Sequence, residues 1–137
     1  MALIKDILRS LKGFPLRVVL WAFLCMAPVN FATLLFLWEP GGVGLAVLAT
    51  MGIIPNFILM ATQRGFSNAF ALPHLIFWPP AILWSLWLLV TAEGLSTAYT
   101  ILLVLLIIID GIAVWLDWGL WRDWRNGDRG VIGHDDD

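Results

Sequence analysis

The polar side chains that stand inside apolar sequence are the first candidates for chemistry in this chain. Asn30, Asn56 and Asp110 each interrupt a different hydrophobic run. A carboxyl group in such surroundings can carry a proton or couple proton movement to a solute, and it is costly to bury without a partner. Amides and a carboxyl group at one level can also hydrogen-bond one another and join helices. The three residues therefore predict a polar cluster, with transport and interhelical bonding as its alternative roles.

His74 is the second candidate, because it lies near the start of an apolar run, whereas His134 lies in polar sequence. An imidazole can ligate the metal of a haem or a chlorin, but a bis-histidine haem needs a second ligand, which another subunit would have to provide. A hydrogen-bonded histidine near a helix end is the main expectation, and a pigment or haem ligand is the minority alternative. No other cofactor and no metal site is predicted.

Motifs of self-contained catalysis are missing from the sequence. Cys25 is the only cysteine, which leaves no intramolecular disulfide and no thiolate metal site. There is no nucleophile elbow, no phosphate-binding glycine loop and no pair of catalytic carboxylates. We therefore do not expect an enzyme whose catalytic groups all come from this chain.

The elements that must position these residues are membrane-spanning helices. Of the 137 residues, 61% are hydrophobic and 13% are charged, whereas about 25% are charged in soluble domains. Mean hydropathy is +0.88. About 20 apolar residues of helix cross a bilayer, and the chain contains four such runs. We predict an all-α, integral membrane four-helix bundle over residues 14–118, with spans at about 15–38, 43–62, 69–91 and 98–118.

The two ends of the chain differ in pattern from these spans. Within residues 1–13 the apolar side chains recur at helical spacing opposite Lys5, Arg9 and Lys12, which predicts an amphipathic helix at the membrane interface. Residues 119–137 form a polar tail, into which the last helix is expected to continue. A chain of this length forms one domain.

Prolines accompany the polar residues inside the spans. Pro28 precedes Asn30 and Pro55 precedes Asn56, on segments that run in opposite directions, a pattern similar to the interrupted helices of transporter substrate sites. Helix kinks are expected at these two prolines and at the pair Pro79 and Pro80.

Depth is estimated from the rise of about 1.5 Å per residue, which places Asn30, Asn56 and Asp110 within about 5 Å of the membrane midplane. Asp117 shares the helical face of Asp110 but lies at the interface. There, Arg122 or Arg64 is expected to neutralise its charge.

The distribution of charge predicts the orientation. All eight basic residues fall in or near three segments on one side of the predicted spans: the N-terminal segment, the connection at 63–68 and the tail. The two connections on the other side carry only Glu39 and Glu93. The positive-inside rule then places both termini in the cytoplasm. The compact polytopic design favours the inner membrane of a bacterium.

The aromatic residues point to a surface for partners. Tryptophan occurs nine times in the chain, and it recurs every third residue where the last helix leaves the membrane, at Trp115, Trp118, Trp121 and Trp124. Such a stripe is an interfacial anchor or a docking surface for another helix.

Three functions are compatible with these patterns. The main hypothesis is an accessory or scaffolding subunit of a larger membrane complex, whose partners are the bilayer and other membrane subunits or further copies of itself. The alternative is a small homo-oligomeric transporter or channel that uses Asn30, Asn56 and Asp110, and the minority alternative is a pigment- or haem-carrying subunit. No basic cluster indicates nucleic acid. Topology alone assigns no family.

Overall fold

All regular elements in residues 1–134, the part of the chain described by the computed structural model, are helices. The last three residues of the predicted tail, Asp135 to Asp137, lie outside the described residues. Four of the helices are long and apolar enough to span a membrane. In chain order the helices are α1 (Ala2–Lys12), α2 (Leu16–Phe36), α3 (Gly42–Gln63), α4 (Asn68–Thr91) and α5 (Thr97–Arg125).

The predicted helices are therefore present, and their bounds agree with the apolar runs except at the last one. Helix α5 ends at Arg125 rather than at residue 118, so the helix does continue into the predicted tail. Helix α1 forms over the amphipathic segment, with Leu3, Ile4 and Leu8 exposed and Ser10 buried. Its apolar side thus faces away from the bundle.

Helices α2 and α3 are irregular next to their prolines. In α2 a π-helical stretch, Trp21–Met26, precedes Pro28, and a 3-10 turn, Thr33–Phe36, ends the helix. Proline has no N–H to donate to the preceding turn, and a wider turn accommodates that loss. Helix α3 consists of two halves, Gly42–Met51 and Ile54–Gln63. Pro55 lies at the start of the second half, where its missing donor costs no helical bond.

Helix α4 begins with a 3-10 turn, Asn68–Phe70, and then runs without interruption from Ala71 to Thr91. Pro79 and Pro80 both lie inside this helix. The backbone remains helical at and before the proline pair, whereas a turn at Gly52 and Ile53 precedes Pro55 in α3.

The apolar core lies among α2, α3, α4 and α5, with α4 and α5 packed along each other. Buried small residues on α3 and α4 allow close approach of the backbones. These residues are Ala46, Ala49, Ala81 and Ser85. The buried larger residues of the core are Val29, Leu45, Leu88, Tyr99, Leu102, Leu103 and Leu106.

One end of the bundle, called here the turn end, is formed by residues 39–41 and 92–96. The Tyr99 hydroxyl donates to the Pro40 carbonyl at 3.2 Å, and the Trp84 indole donates to the Gly41 carbonyl at 3.0 Å. The two connections predicted to share a side of the membrane therefore lie at the same end of the bundle.

The opposite end, called here the terminal end, brings together α1, residues 64–68 and residues 128–134. Arg64 pairs with Asp6 at 2.7 Å. The backbone N–H of Phe66 donates to Ser10 Oγ at 2.8 Å, and the Phe66 carbonyl accepts from the Ile132 N–H at 2.8 Å. The chain after α5 thus folds back onto α1, an arrangement that the sequence did not predict.

Candidate functional site

The first buried polar contact joins α2 to α5. The Asn30 side-chain amide donates to Asp110 Oδ1 at 2.8 Å and to the Met26 carbonyl at 3.0 Å. Both Asn30 and Asp110 are 0% exposed. Asn30 Oδ1 and Asp110 Oδ2 have no partner among the described residues. The predicted contact between these two residues is present, and it leaves one oxygen on each side chain without a hydrogen bond.

The second polar contact is a chain of three side chains on α3, α4 and α5. His74 Nδ1 lies 2.7 Å from Asp117 Oδ2, and His74 Nε2 lies 3.1 Å from the Asn56 side-chain nitrogen. The same Asn56 nitrogen donates to the Phe70 carbonyl at 3.1 Å. We call Asn56, His74 and Asp117 the histidine cluster. Together with the Asn30–Asp110 pair, it links all four long helices through buried polar contacts.

The hydrogen bonds of the histidine cluster determine the tautomer of His74. The Phe70 carbonyl can only accept, so it requires the NH2 group of Asn56, and that group also faces His74 Nε2. Because an amide NH2 only donates, Nε2 must accept and carries no proton. The ring proton is then on Nδ1, which donates to Asp117. His74 is therefore a neutral imidazole beside an acidic side chain.

Trp78 closes the inner side of the histidine cluster. It follows His74 by one helical turn on α4, is 0% exposed, and donates from its indole nitrogen to the Ala49 carbonyl at 3.1 Å. Asp110 lies seven residues before Asp117 on α5, a rise of about 10 Å. The two polar contacts therefore lie at different levels of the bundle. Trp78 borders the histidine cluster, which is the one nearer the terminal end.

The predicted three-residue cluster is thus divided. Asn30 and Asp110 meet as expected, but Asn56 binds His74 and makes no contact with Asp110. A turn between Met51 and Ile54 interrupts α3 just before Asn56, and the depth predicted for Asn56 stays a prediction.

Among the described residues, neither Arg64 nor Arg122, the two arginines suggested for Asp117, forms an ion pair with it. Arg64 pairs with Asp6 at the terminal end, and Asp117 receives its hydrogen bond from His74 instead. The sequence did contain a usable signal for this contact. His74 and Asp117 lie close to the same end of two consecutive, antiparallel helices, so their depths match.

A cavity of about 140 Å³ lies beside the histidine cluster, at the terminal end. Its lining includes Phe14, Phe66 and Phe70 together with His74 and Asp117. Ile132, from the segment that folds back, also belongs to the lining. The sequence pattern had not associated the phenylalanines or Ile132 with His74 and Asp117, because the lining comes from four separate stretches, at residues 14, 66–74, 117–120 and 132.

The tryptophan stripe divides into two pairs. Trp115 and Trp118 are 77% and 61% exposed on the outer surface of α5. Trp121 and Trp124 are half-buried and stack on each other with centroids 5.1 Å apart, and the Arg129 guanidinium lies 4.2 Å from the Trp124 ring. Only the first pair is fully available to a partner.

A haem or chlorin on His74 would require a change in these contacts, because both ring nitrogens are engaged. Within residues 1–134 there is no group of three or more His, Cys, Asp or Glu side chains that could hold a metal ion. The haem or chlorin ligand therefore stays a prediction that the hydrogen bonds of His74 disfavour.

The geometry of these contacts is the main guide to function, because comparisons of sequence and fold with known proteins give no match from which a function could be inferred. No known protein family, no curated protein and no solved structure matches this chain.

Proposed function

We propose that this chain is a multi-pass membrane protein that acts as an accessory or scaffolding subunit of a larger membrane complex. The observation that carries the proposal is that buried polar side chains from all four long helices bond to one another. Polar bonds between helices are a common means of joining membrane bundles. Groups used in this way hold the bundle together and do not line an opening through it.

The outer surface of α5 is the proposed docking site for the partner. Trp115 and Trp118 project from α5 at the level of Asp117, and buried tryptophans often provide much of the binding energy of an interface. In the absence of a partner, the same two side chains would anchor the helix at the membrane interface. In the docking role, substitution of the two tryptophans would remove the bound partner. In the anchoring role, it would remove only a contact with the membrane interface.

Purification in mild detergent tests this proposal. We expect a partner in stoichiometric amount, and we expect the double variant Trp115→Leu, Trp118→Leu to lose it while retaining its thermal stability. Trp87→Leu is the matched control, because Trp87 is also exposed, 56%, but on α4. Retention of the partner by the double variant, or its loss in Trp87→Leu, would contradict the docking surface.

The proposed location is the inner membrane of a bacterium, with both termini in the cytoplasm. The grouping of α1, residues 64–68 and residues 128–134 at the terminal end supports this orientation, since these segments carry most of the basic residues. In a Cys25→Ser background, Lys5→Cys should be protected from an impermeant thiol reagent in intact cells, and Glu93→Cys should react. The reverse pattern would refute the orientation.

A second candidate is a small homo-oligomeric transporter or channel, and it is favoured by one observation. Asp110 is fully buried and has an oxygen without a partner in the described chain, which suits a group that receives a proton. Purified protein in liposomes would then conduct protons or an ion, and Asp110→Asn would abolish the flux. Asp123→Asn, an exposed acid on the same helix, is the control. Flux that survives Asp110→Asn would exclude Asp110 as the carrier.

A further inference from the structure

The cavity at the terminal end combines two features that no role discussed so far uses. One is Asp117, which is 8% exposed and lines the cavity. The other is an aromatic wall formed by Phe14, Phe66 and Phe70. Phe66 contacts Phe14 edge to face, with centroids 5.5 Å apart, and Phe70 at 5.0 Å. We call this space the aromatic cavity.

The charge of the aromatic cavity follows from the tautomer of His74. Since the imidazole is neutral, it offers Asp117 a hydrogen bond but no positive charge. Only Oδ2 of Asp117 takes part in that bond, and within residues 1–134 no donor is bonded to Oδ1. Among the described residues that line the cavity there is no lysine or arginine. The lining therefore contains one nearly buried acid, Asp117, without a counter-charge among the lining residues.

These features are complementary to a cation that also has an apolar surface. Aromatic rings attract cations through their negative faces, and recognition of alkylammonium groups is a common use of such rings. A bare metal ion would gain little from three phenylalanines, and the described residues offer no cluster of three metal ligands. The cavity measures about 140 Å³, so the ligand must be small.

We propose that the aromatic cavity binds a small alkylammonium ion, with Asp117 as its counter-charge and Phe14, Phe66 and Phe70 as its walls. His74 and Asn56 act as positioning residues, because they orient the Asp117 carboxylate without neutralising it. The ion is either free in solution or the headgroup of a phospholipid. This inference does not depend on the proposed scaffolding role.

Choline and its uncharged carbon isostere, dimethylbutanol, are the probes for a test in detergent by titration calorimetry and saturation-transfer NMR. We expect choline to bind and the isostere to bind at least about tenfold more weakly, which is a difference of about 1.4 kcal/mol. Equal binding of both would show that the cavity recognises apolar surface only, and the proposal would fail. Absence of choline binding to the folded protein would also overturn it.

Asp117→Asn tests the counter-charge and keeps an acceptor for the His74 N–H. We expect choline affinity to fall about tenfold or more, and to remain unchanged in the matched variant Asp123→Asn. Equal losses in both, or no loss in Asp117→Asn, would refute the role of Asp117. If Asp117→Asn does not fold, Phe66→Leu decides the question. Loss of one ring should weaken the binding of choline about two- to fivefold and have little effect on the binding of the isostere. An unchanged affinity for choline would overturn the proposal.

The source of the ion is resolved with lipid nanodiscs. If the ligand is a lipid headgroup, nanodiscs of phosphatidylcholine should block the binding of free choline, whereas nanodiscs of phosphatidylglycerol should not. If the ligand is a free ion, choline should bind equally in both. Failure to bind choline in both lipids would contradict the site, whichever partner the scaffold has.

Discussion

The imidazole of His74 lies parallel to the indole of Trp78, with ring centroids 3.9 Å apart and an interplanar angle of 3°. Trp78 is itself held by its bond to the Ala49 carbonyl on α3. The indole therefore restrains the plane of the imidazole, and the two in-plane nitrogens can reach only Asn56 and Asp117. This restraint turns three polar side chains from three helices into one cluster with a defined direction of hydrogen bonding.

The direction of hydrogen bonding can be tested by nitrogen NMR of histidine-labelled protein. We expect His74 to be neutral, with a proton on Nδ1 and none on Nε2. In Asn56→Leu the Nε2 nitrogen loses its donor, whereas Asp117 still accepts from Nδ1, so the Nε2 resonance should shift while the proton stays on Nδ1. Asn68→Leu is the control, because Asn68 binds Asp128 and not His74, and in it the resonance should not shift. A proton on Nε2 in the unmodified protein would contradict the assignment.

The Asn30–Asp110 contact should appear as a coupling free energy in a double-mutant cycle. Asn30→Leu or Asp110→Leu alone leaves one buried polar group without its partner, which should lower the free energy of unfolding by about 1 to 3 kcal/mol. The double variant should lose less than the sum, with a coupling of about 0.6 to 1.7 kcal/mol. Reversible unfolding in detergent measures these values.

The control for this cycle combines Asn30→Leu with Asp123→Leu, since Asp123 is exposed and remote from Asn30. Those two effects should add. If the effects of the Asn30 and Asp110 substitutions on the free energy of unfolding are also additive, the contact does not contribute to the stability of the bundle.

Gly52 should be intolerant of a side chain. A Cβ atom there would collide with the Trp78 indole, which fills the space beside the turn in α3. We expect Gly52→Ala to lower the free energy of unfolding by about 1 to 3 kcal/mol through overpacking. Gly111→Ala, with nothing within 4 Å of the added atom, should be neutral or stabilising. Equal thermal melting temperatures for the two variants would refute the packing role of Gly52.

Gly65 is expected to control the segment that folds back. A Cβ atom at Gly65 would lie 2.8 Å from Ser10 Cβ and 2.7 Å from Val131 Cγ1. Gly65→Ala should therefore displace residues 128–134 and speed hydrogen exchange at the Ile132 amide, which binds the Phe66 carbonyl. Gly119→Ala, which meets nothing within 4 Å, should leave that exchange unchanged.

The helices were predictable because each one is encoded locally. A run of about 20 apolar residues predicts a span whatever it packs against, and the extension of α5 was visible in its continuing pattern of tryptophans. The contact of Asn30 with Asp110 was predictable for a related reason. Each lies near the middle of a long apolar helix, so a rise of about 1.5 Å per residue gives them similar depths despite the irregular turns on either side of Asn30.

The other contacts could not be predicted in this way. The position of Asn56 depends on the turn that interrupts α3, and that turn exists where the Trp78 indole from α4 occupies the space beside Gly52. Asp117 was assigned an arginine partner because the sequence does not show that Arg64 faces Asp6. The fold-back of residues 128–134 depends on distant groups, Ser10 and Phe66.

By itself, the sequence determined an amphipathic helix at the start of the chain, four helices long and apolar enough to span a membrane, and the positions of the polar residues along them. Hydrophobic periodicity and length carry that information within each segment. Only the tertiary structure decided that Asn56 belongs with His74 and Asp117, that His74 is neutral, and that three phenylalanines surround the acid. Those facts depend on which faces of the helices are in contact, and the packing of side chains from distant segments determines those contacts.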